Sequence, residues 1–306
     1  MTDLDRHLDD YLRVRRALGF KLTFPGRALP QFVRYLQAAG ASTVTVELAV
    51  AWAGLPAHLQ PISRSHRLGA ARSFARYLAT VDPATEVPPR GLWPSSAPRR
   101  APYLWSDADI AALLTAARGL RPALRSATLE ALFGLLACSG MRVGEALRLG
   151  RHDVDLTEGV ITVREAKCAR TRLVPLHPSA TAALRDYCER RDMLCPARVC
   201  SAFFVSTAGS APSYGSVLSA FVALTTAMGL RTATPRPRIH DLRHSFAVRT
   251  LVDWHRSGAD VEGRLGALST YLGHVDAAGT YWYLSAAPEL MELAAARLDR
   301  RRGARP

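Results

Sequence analysis

The chain has 306 residues, 48% of them apolar, which is enough for two ordinary domains with cores of their own and excludes a disordered chain. No apolar run reaches the roughly 18–20 residues of a membrane span, and the opening MTDLDRHLDD is acidic without a signal-peptide core, so a cytoplasmic, nucleoid-associated protein without a membrane partner is expected. The net charge of +14 favours a polyanionic partner, most simply nucleic acid.

Apolar periodicity predicts a helix over residues 3–18, stopped by Gly19, and a second over about 27–39, stopped by Gly40. A third runs from Thr45 to Gly54 and a fourth from Pro61 or Ser63 to Thr80. The fourth carries Arg64, Arg67, Arg72 and Arg76 among Leu68, Phe74, Tyr77 and Leu78. Its basic residues are candidates for phosphate contacts that position DNA without reading bases, or for a solvated face. Residues 1–100 hold 14 basic and 7 acidic residues, and the remaining 206 hold 26 and 19, so each part carries +7. The first third is therefore the denser in charge.

Six prolines in 81–104 mark a linker. The division expected is a helical DNA-binding domain over 1–85, a Pro-rich linker over 86–104 and a catalytic domain over 105–306. The second domain opens at Ser106, a helix N-cap with Asp107 and Asp109 in the first turn. A buried helix follows over Arg121–Ser139. Gly140 breaks it, and another helix starts near Arg142. Residues 160–165 and 170–176 alternate as two strands of a hairpin, with Lys167 at its turn and Arg170 beside it. Further helices are expected over about 178–192, 213–229, 240–255, 260–271, 276–283 and 287–300. The fold class is mainly α with a small antiparallel β-sheet or hairpin.

Of the 40 basic residues only Lys21 and Lys167 are lysine, and lysine, unlike arginine, can give up a proton when its surroundings lower its pKa. The five cysteines form no CxxC pair, so no metal site and no cofactor is expected.

The segment HDLRHSFAVRT, residues 240–250, places His240, Arg243 and His244 on one helical face. A guanidinium and two imidazoles there suit a phosphate. Thirty residues after His244 stands His274, and nine later Tyr283. A phenol with an ordinary pKa near 10 is a poor nucleophile, and a phosphodiester resists an anion until its oxygens are neutralised. Such chemistry needs fixed cations, a proton acceptor and a proton donor for the leaving oxygen. Arg142 and Arg243 are candidates for the clamp, Lys167 for the donor, and His240 with His274 for hydrogen bonds to the phosphate and the tyrosine proton. Glu145 would orient the arginines, and His244 would support them. Tyr281 competes with Tyr283, but the spacing from His274 favours Tyr283.

The chain resembles the tyrosine recombinase, or phage integrase, family over about 105–300. SGMRVGEALRL resembles its first arginine box, VREAKCARTRLVPL its lysine-bearing hairpin, IHDLRHSFAVRTL its HxxR box and YLGHVDAAGTYWY the segment ending at the nucleophile. The resemblance implies a site-specific DNA recombinase or integrase, whether of a mobile element or of a chromosome-dimer resolver. Tyr283 would form a 3′-phosphotyrosine bond, assisted by Arg142, Lys167, His240, Arg243 and His274, and the released 5′-hydroxyl would allow strand exchange without metal or ATP. It also implies a synaptic tetramer on double-stranded DNA, with partner recombinases or accessory proteins possible. The stripe Leu290, Leu293, Ala294 and Leu298 would pack on its own domain or dock on a neighbouring protomer. A type IB topoisomerase and a non-catalytic DNA-binding protein of the same fold are the rival readings.

Overall fold

The computed structural model describes residues 3–94, 100–164, 171–196, 200–232 and 234–273. The chain forms two compact units, residues 1–99 and 100–306. The described residues contain eleven α-helices and one three-stranded antiparallel sheet, the mainly helical class that the periodicity predicts.

The first unit contains α1 (Asp3–Ala17), α2 (Pro25–Ala38), α3 (Val46–Gly54) and α4 (Pro61–Leu78). Leu4, Leu8, Tyr11 and Leu12 recur three and four apart, so α1 buries one face. Leu29, Phe32, Val33 and Leu36 do the same for α2. Gly40 stops α2 at φ +70°, and the Thr45 side chain caps α3 by accepting from the Leu48 N–H at 3.2 Å. Phe32 meets Trp52 at 4.8 Å between ring centroids, and Tyr11 meets Phe74 edge-on at 5.8 Å. These rings tie α1–α4 around one core.

In the second unit α5 (Asp107–Arg118) starts in a reciprocal cap between Ser106 and Asp109. It packs beside α6 (Ala123–Ser139), the central helix, which is buried on nearly every side. Phe133 is fully buried against Phe221, and its removal would cost about 3–5 kcal/mol. The helix expected near Arg142 is a single turn, α7 (Val143–Ala146), because the chain is extended again at Gly150, whose N–H is taken by Asp153.

The sheet runs β1 (Val154–Asp155), β2 (Val160–Val163) and β3 (Arg172–Pro175) in that order, with Val163 opposite Arg172 and Val160 opposite Pro175. Two strands were expected. At two residues, β1 is too short to show alternation in sequence. The turn between β2 and β3, with Lys167 and Arg170, lies outside the described residues.

Then follow α8 (Pro178–Leu194), α9 (Tyr214–Ala227), α10 (Ile239–Arg256) and α11 (Val261–Leu272). A second, smaller core joins α10 and α11 through Ala247, Leu251, Leu265, Leu268 and Leu272. The helices expected over 276–283 and 287–300 fall outside the described residues. Among those described, no helix is long and apolar enough to cross a membrane.

Candidate active site

The site begins where α6 stops. Gly140 stands at φ +59°, and a Cβ there would lie 2.6 Å from Phe246 Cδ1 and 3.0 Å from Leu272 Cδ2. Both the backbone and the close approach of α10 and α11 therefore require glycine. The turn delivers Arg142 to the start of α7 and Glu145 to its interior. Glu145 is 4% exposed, and its carboxylate accepts from the Arg142 N–H at 3.1 Å and from Arg142 Nη1 at 2.8 Å.

The same carboxylate receives a second arginine. Arg172 on β3 donates from Nη2 at 2.7 Å and from Nη1 at 3.1 Å, one bond to each oxygen. Burial alone would raise the Glu145 pKa, but Arg172 first and Arg142 second outweigh it and hold it at about 2. Arg172 is absent from the sequence-derived set, and it had a readable signal. It alternates with the buried Val174 while Leu173 is exposed, so it lies on the inner face of its strand. A charge on an inner face must find a partner.

Three arginines meet at the end of α11. Its last carbonyls have no acceptor role within the helix, and a helix C-terminus attracts cations. Arg172 Nε donates to the Tyr271 carbonyl at 2.9 Å, Arg243 Nη2 to the Leu272 carbonyl at 2.8 Å, and Arg142 Nη2 to the Gly273 carbonyl at 2.9 Å. Arg243 also donates from Nη1 to the Gly140 carbonyl at 2.8 Å, so this 2%-exposed guanidinium joins the ends of α6 and α11. Gly273 stops α11 at φ +69°, and a Cβ there would lie 2.7 Å from Arg172 Nη1.

His240 opens α10 with its ring edge-on to that of His244, 4.7 Å between centroids. Surrounding protein, then Arg243, Arg142 and Arg238, lower its imidazole to about 4, against an opposing pull from Asp241. The outer side of His240 remains open to solvent, and the three arginines alone suffice for the direction of the shift. His240 is thus neutral at neutral pH. Beside it lies a cleft of about 950 Å³ whose lining, among the described residues, includes Arg100, Arg231, Arg236 and Arg238 and no carboxylate.

The structure brings Arg142, Glu145, His240, Arg243 and His244 together. Lys167, Arg170, His274, Tyr281 and Tyr283 lie outside the described residues. Arg64, Arg67, Arg72 and Arg76 belong to the other unit. Arg64 donates to the Ala57 carbonyl, Arg67 to that of Trp52, and Arg72 to those of Pro88 and Pro89, while Arg76 is exposed. Among the described residues no cluster of His, Cys, Asp or Glu has the makeup of a metal site.

Residues 106–289 match the phage integrase family. The chain belongs to the phage integrase family. This integrase is 46% identical, over 98% of both chains, to y4rB of Sinorhizobium fredii, itself named only as a candidate integrase/recombinase. It is 33% identical to the tyrosine recombinase XerD of Ralstonia nicotianae, across 71% of this chain and 65% of that one. These relatives make it a tyrosine-type site-specific recombinase. Its fold is shared with the Tn1549 transposon integrase solved with transposon right-end DNA (TM-score 0.66, 17% identity, 98% and 99% of the two chains). It is shared too with a lambda integrase tetramer solved on a Holliday junction (TM-score 0.59, 18% identity, 89% and 77%).

Proposed function

We propose that this integrase breaks and rejoins duplex DNA through a covalent link between Tyr283 and the 3′ phosphate of the cut strand. The observation that carries the reading is the convergence of Arg142 and Arg243 at the end of α11, one residue before His274 and ten before Tyr283. Fixed guanidiniums in partly dry surroundings neutralise the non-bridging oxygens as charge builds on the phosphorane. Arginine suits this post because it keeps its charge at any working pH.

In this mechanism the Tyr283 oxygen attacks phosphorus and the bond to the 5′ oxygen breaks. Lys167 on the hairpin protonates that leaving oxygen. His240, neutral in the free protein, and His274 hydrogen-bond the phosphate and receive the phenol proton. A bound phosphate raises the His240 pKa, because an anion favours imidazolium. Glu145 orients the arginines without entering the chemistry, and His244 steadies the His240 ring. The phosphotyrosine retains the energy of the broken bond, so a 5′-hydroxyl from a partner strand re-forms the backbone without nucleotide hydrolysis. The arginines fill the charge-neutralising role that a metal takes elsewhere.

The helical domain over 1–85 and the catalytic domain over 105–306 each bind the duplex, and four protomers form the synaptic unit. Arg64, Arg67, Arg72, Arg76 and Arg170 add phosphate contacts. A duplex nicked near the scissile phosphate tests the reading, because loss of the short cut end traps the intermediate. A protein–DNA adduct is expected in EDTA-containing buffer, lost in Tyr283→Phe and kept in Tyr281→Phe. No adduct from the unaltered chain sinks the proposal. Relaxation of supercoils without strand-exchange products would move it to the topoisomerase class.

A further inference from the structure

We propose that Arg172 is a positioning residue for strand cleavage, fixing the arginine clamp and the end of α11 to one another through a single guanidinium. The inference rests on the recombinase reading above and adds a residue to it. Arg172 is 8% exposed at its side chain, and Glu145 is 3%. Two of its nitrogens span both oxygens of Glu145, and its Nε reaches the Tyr271 carbonyl. Glu145 in turn holds Arg142, and the α11 terminus in turn accepts from Arg243. Among the described residues Arg172 is thus the side chain that, from outside the clamp of Arg142 and Arg243, is bonded both to the carboxylate beneath Arg142 and to the helix end beneath Arg243. It also stands on β3, the strand that leads out of the Lys167 turn.

The chemistry of the guanidinium matters here beyond its charge. A lysine at 172 would keep a cation beside Glu145 but could not present three donors in one plane. It would leave one bond of the set unmade and free Arg142 or α11 to shift. A shift of about 1 Å away from the reacting atoms lowers rates by about 10²-fold in enzymes generally. Gly273 supports the same fit, since its bare Cα lies over the Arg172 guanidinium where a side chain would collide.

The test measures adduct formation on the nicked duplex, affinity for the same duplex by fluorescence anisotropy, and thermal melting. Arg172→Lys is expected to bind within about twofold of the unaltered chain while forming adduct about 10²-fold more slowly. Adduct formation at the unaltered rate overturns the assignment, as does a loss of affinity equal to the loss of rate. Should Arg172→Lys fold poorly, the double variant Glu145→Gln with Arg172→Gln removes both buried charges together and avoids an unpaired one. It is expected to cleave about tenfold more slowly than Glu145→Gln alone at matched affinity, through its lost bond to Tyr271. Equal rates for these two would reduce Arg172 to a counter-charge and overturn the proposal. Absence of adduct from the unaltered chain is a different result, since it removes the recombinase reading itself.

Discussion

The arginines of α4 and those at the end of α11 both donate to backbone carbonyls, yet they do different work. In the N-terminal unit Arg64 serves Ala57, Arg67 serves Trp52 while lying 3.9 Å over its ring, and Arg72 serves Pro88 and Pro89. Arg64 and Arg72 each reach a neighbouring loop and Arg67 the last turn of α3, each at its own acceptors. In the catalytic unit three guanidiniums take three consecutive carbonyls, and one buried carboxylate serves two of them. Three positive charges against one negative leave an excess of +2 in a small volume. The N-terminal part of the chain is the denser in net positive charge, so charge content does not account for the cluster in the other. The difference lies in convergence. A helix end offers several acceptors within a few ångströms, and it offsets the mutual repulsion of arginines gathered for an anion.

The sharpest way to break this contrast is to remove one arginine from each set. Arg243→Ala should lower adduct formation by about 10³-fold. It should also destabilise the unit by roughly 3 kcal/mol in urea unfolding, because two buried carbonyls lose a charged donor. Arg67→Ala should cost about 1 kcal/mol, from one half-exposed hydrogen bond and one cation–π contact. Equal losses at the two positions would mean that convergence adds nothing.

Gly273→Ala tests the anchor rather than the arginines. The left-handed backbone should cost about 1–2 kcal/mol, and displacement of Arg172 should slow adduct formation further. A rate and stability unchanged from the parent would show that the guanidinium yields freely.

The third test uses pH. His240 titrates near 4 in the folded protein and near 6.5 unfolded, so between these values the unfolded chain binds more protons. The stability it contributes is therefore full above about pH 6.5 and is lost as pH falls toward 4. NMR of the His240 ring should give a midpoint below 5 in the free protein and a higher one with the duplex bound. A midpoint near 6.5 in the free protein would show that the arginine cluster exerts no field there.

The smallest effect is expected at Arg76, which is exposed on α4. Arg76→Ala should leave stability unchanged and reduce the slope of log affinity against log salt by about 0.9, the signature of one lost phosphate contact. An unchanged slope would separate α4 from the DNA.

Much of the frame was legible in sequence because helix boundaries carry letters. Gly40, Thr45, Ser106, Gly140 and Gly273 each stand where a helix starts or stops. The HDLR segment revealed His240 and Arg243 through helical spacing, and Glu145 through its distance from Arg142. Arg172 is obscured in sequence by the basic residues Lys167 and Arg170 that precede it, and only the strand's alternation with buried Val174 points it inward. The anchor itself could not be read at all. Backbone carbonyls are common to every residue, so three acceptors in a row leave no trace in composition or motif. The one-turn α7 and the two-residue β1 were too short for periodicity to register.

An anchor made of main-chain oxygens has a consequence for how this site can vary. Replacing Tyr271 or Leu272 changes what packs around α11 but cannot delete the oxygen offered to Arg172 or Arg243. Substitutions at 271 and 272 that preserve the small core can therefore accumulate without touching the guanidinium seats. The heritable constraint falls instead on the path of the chain, and that path is guarded by two residues with no side chain, Gly140 and Gly273.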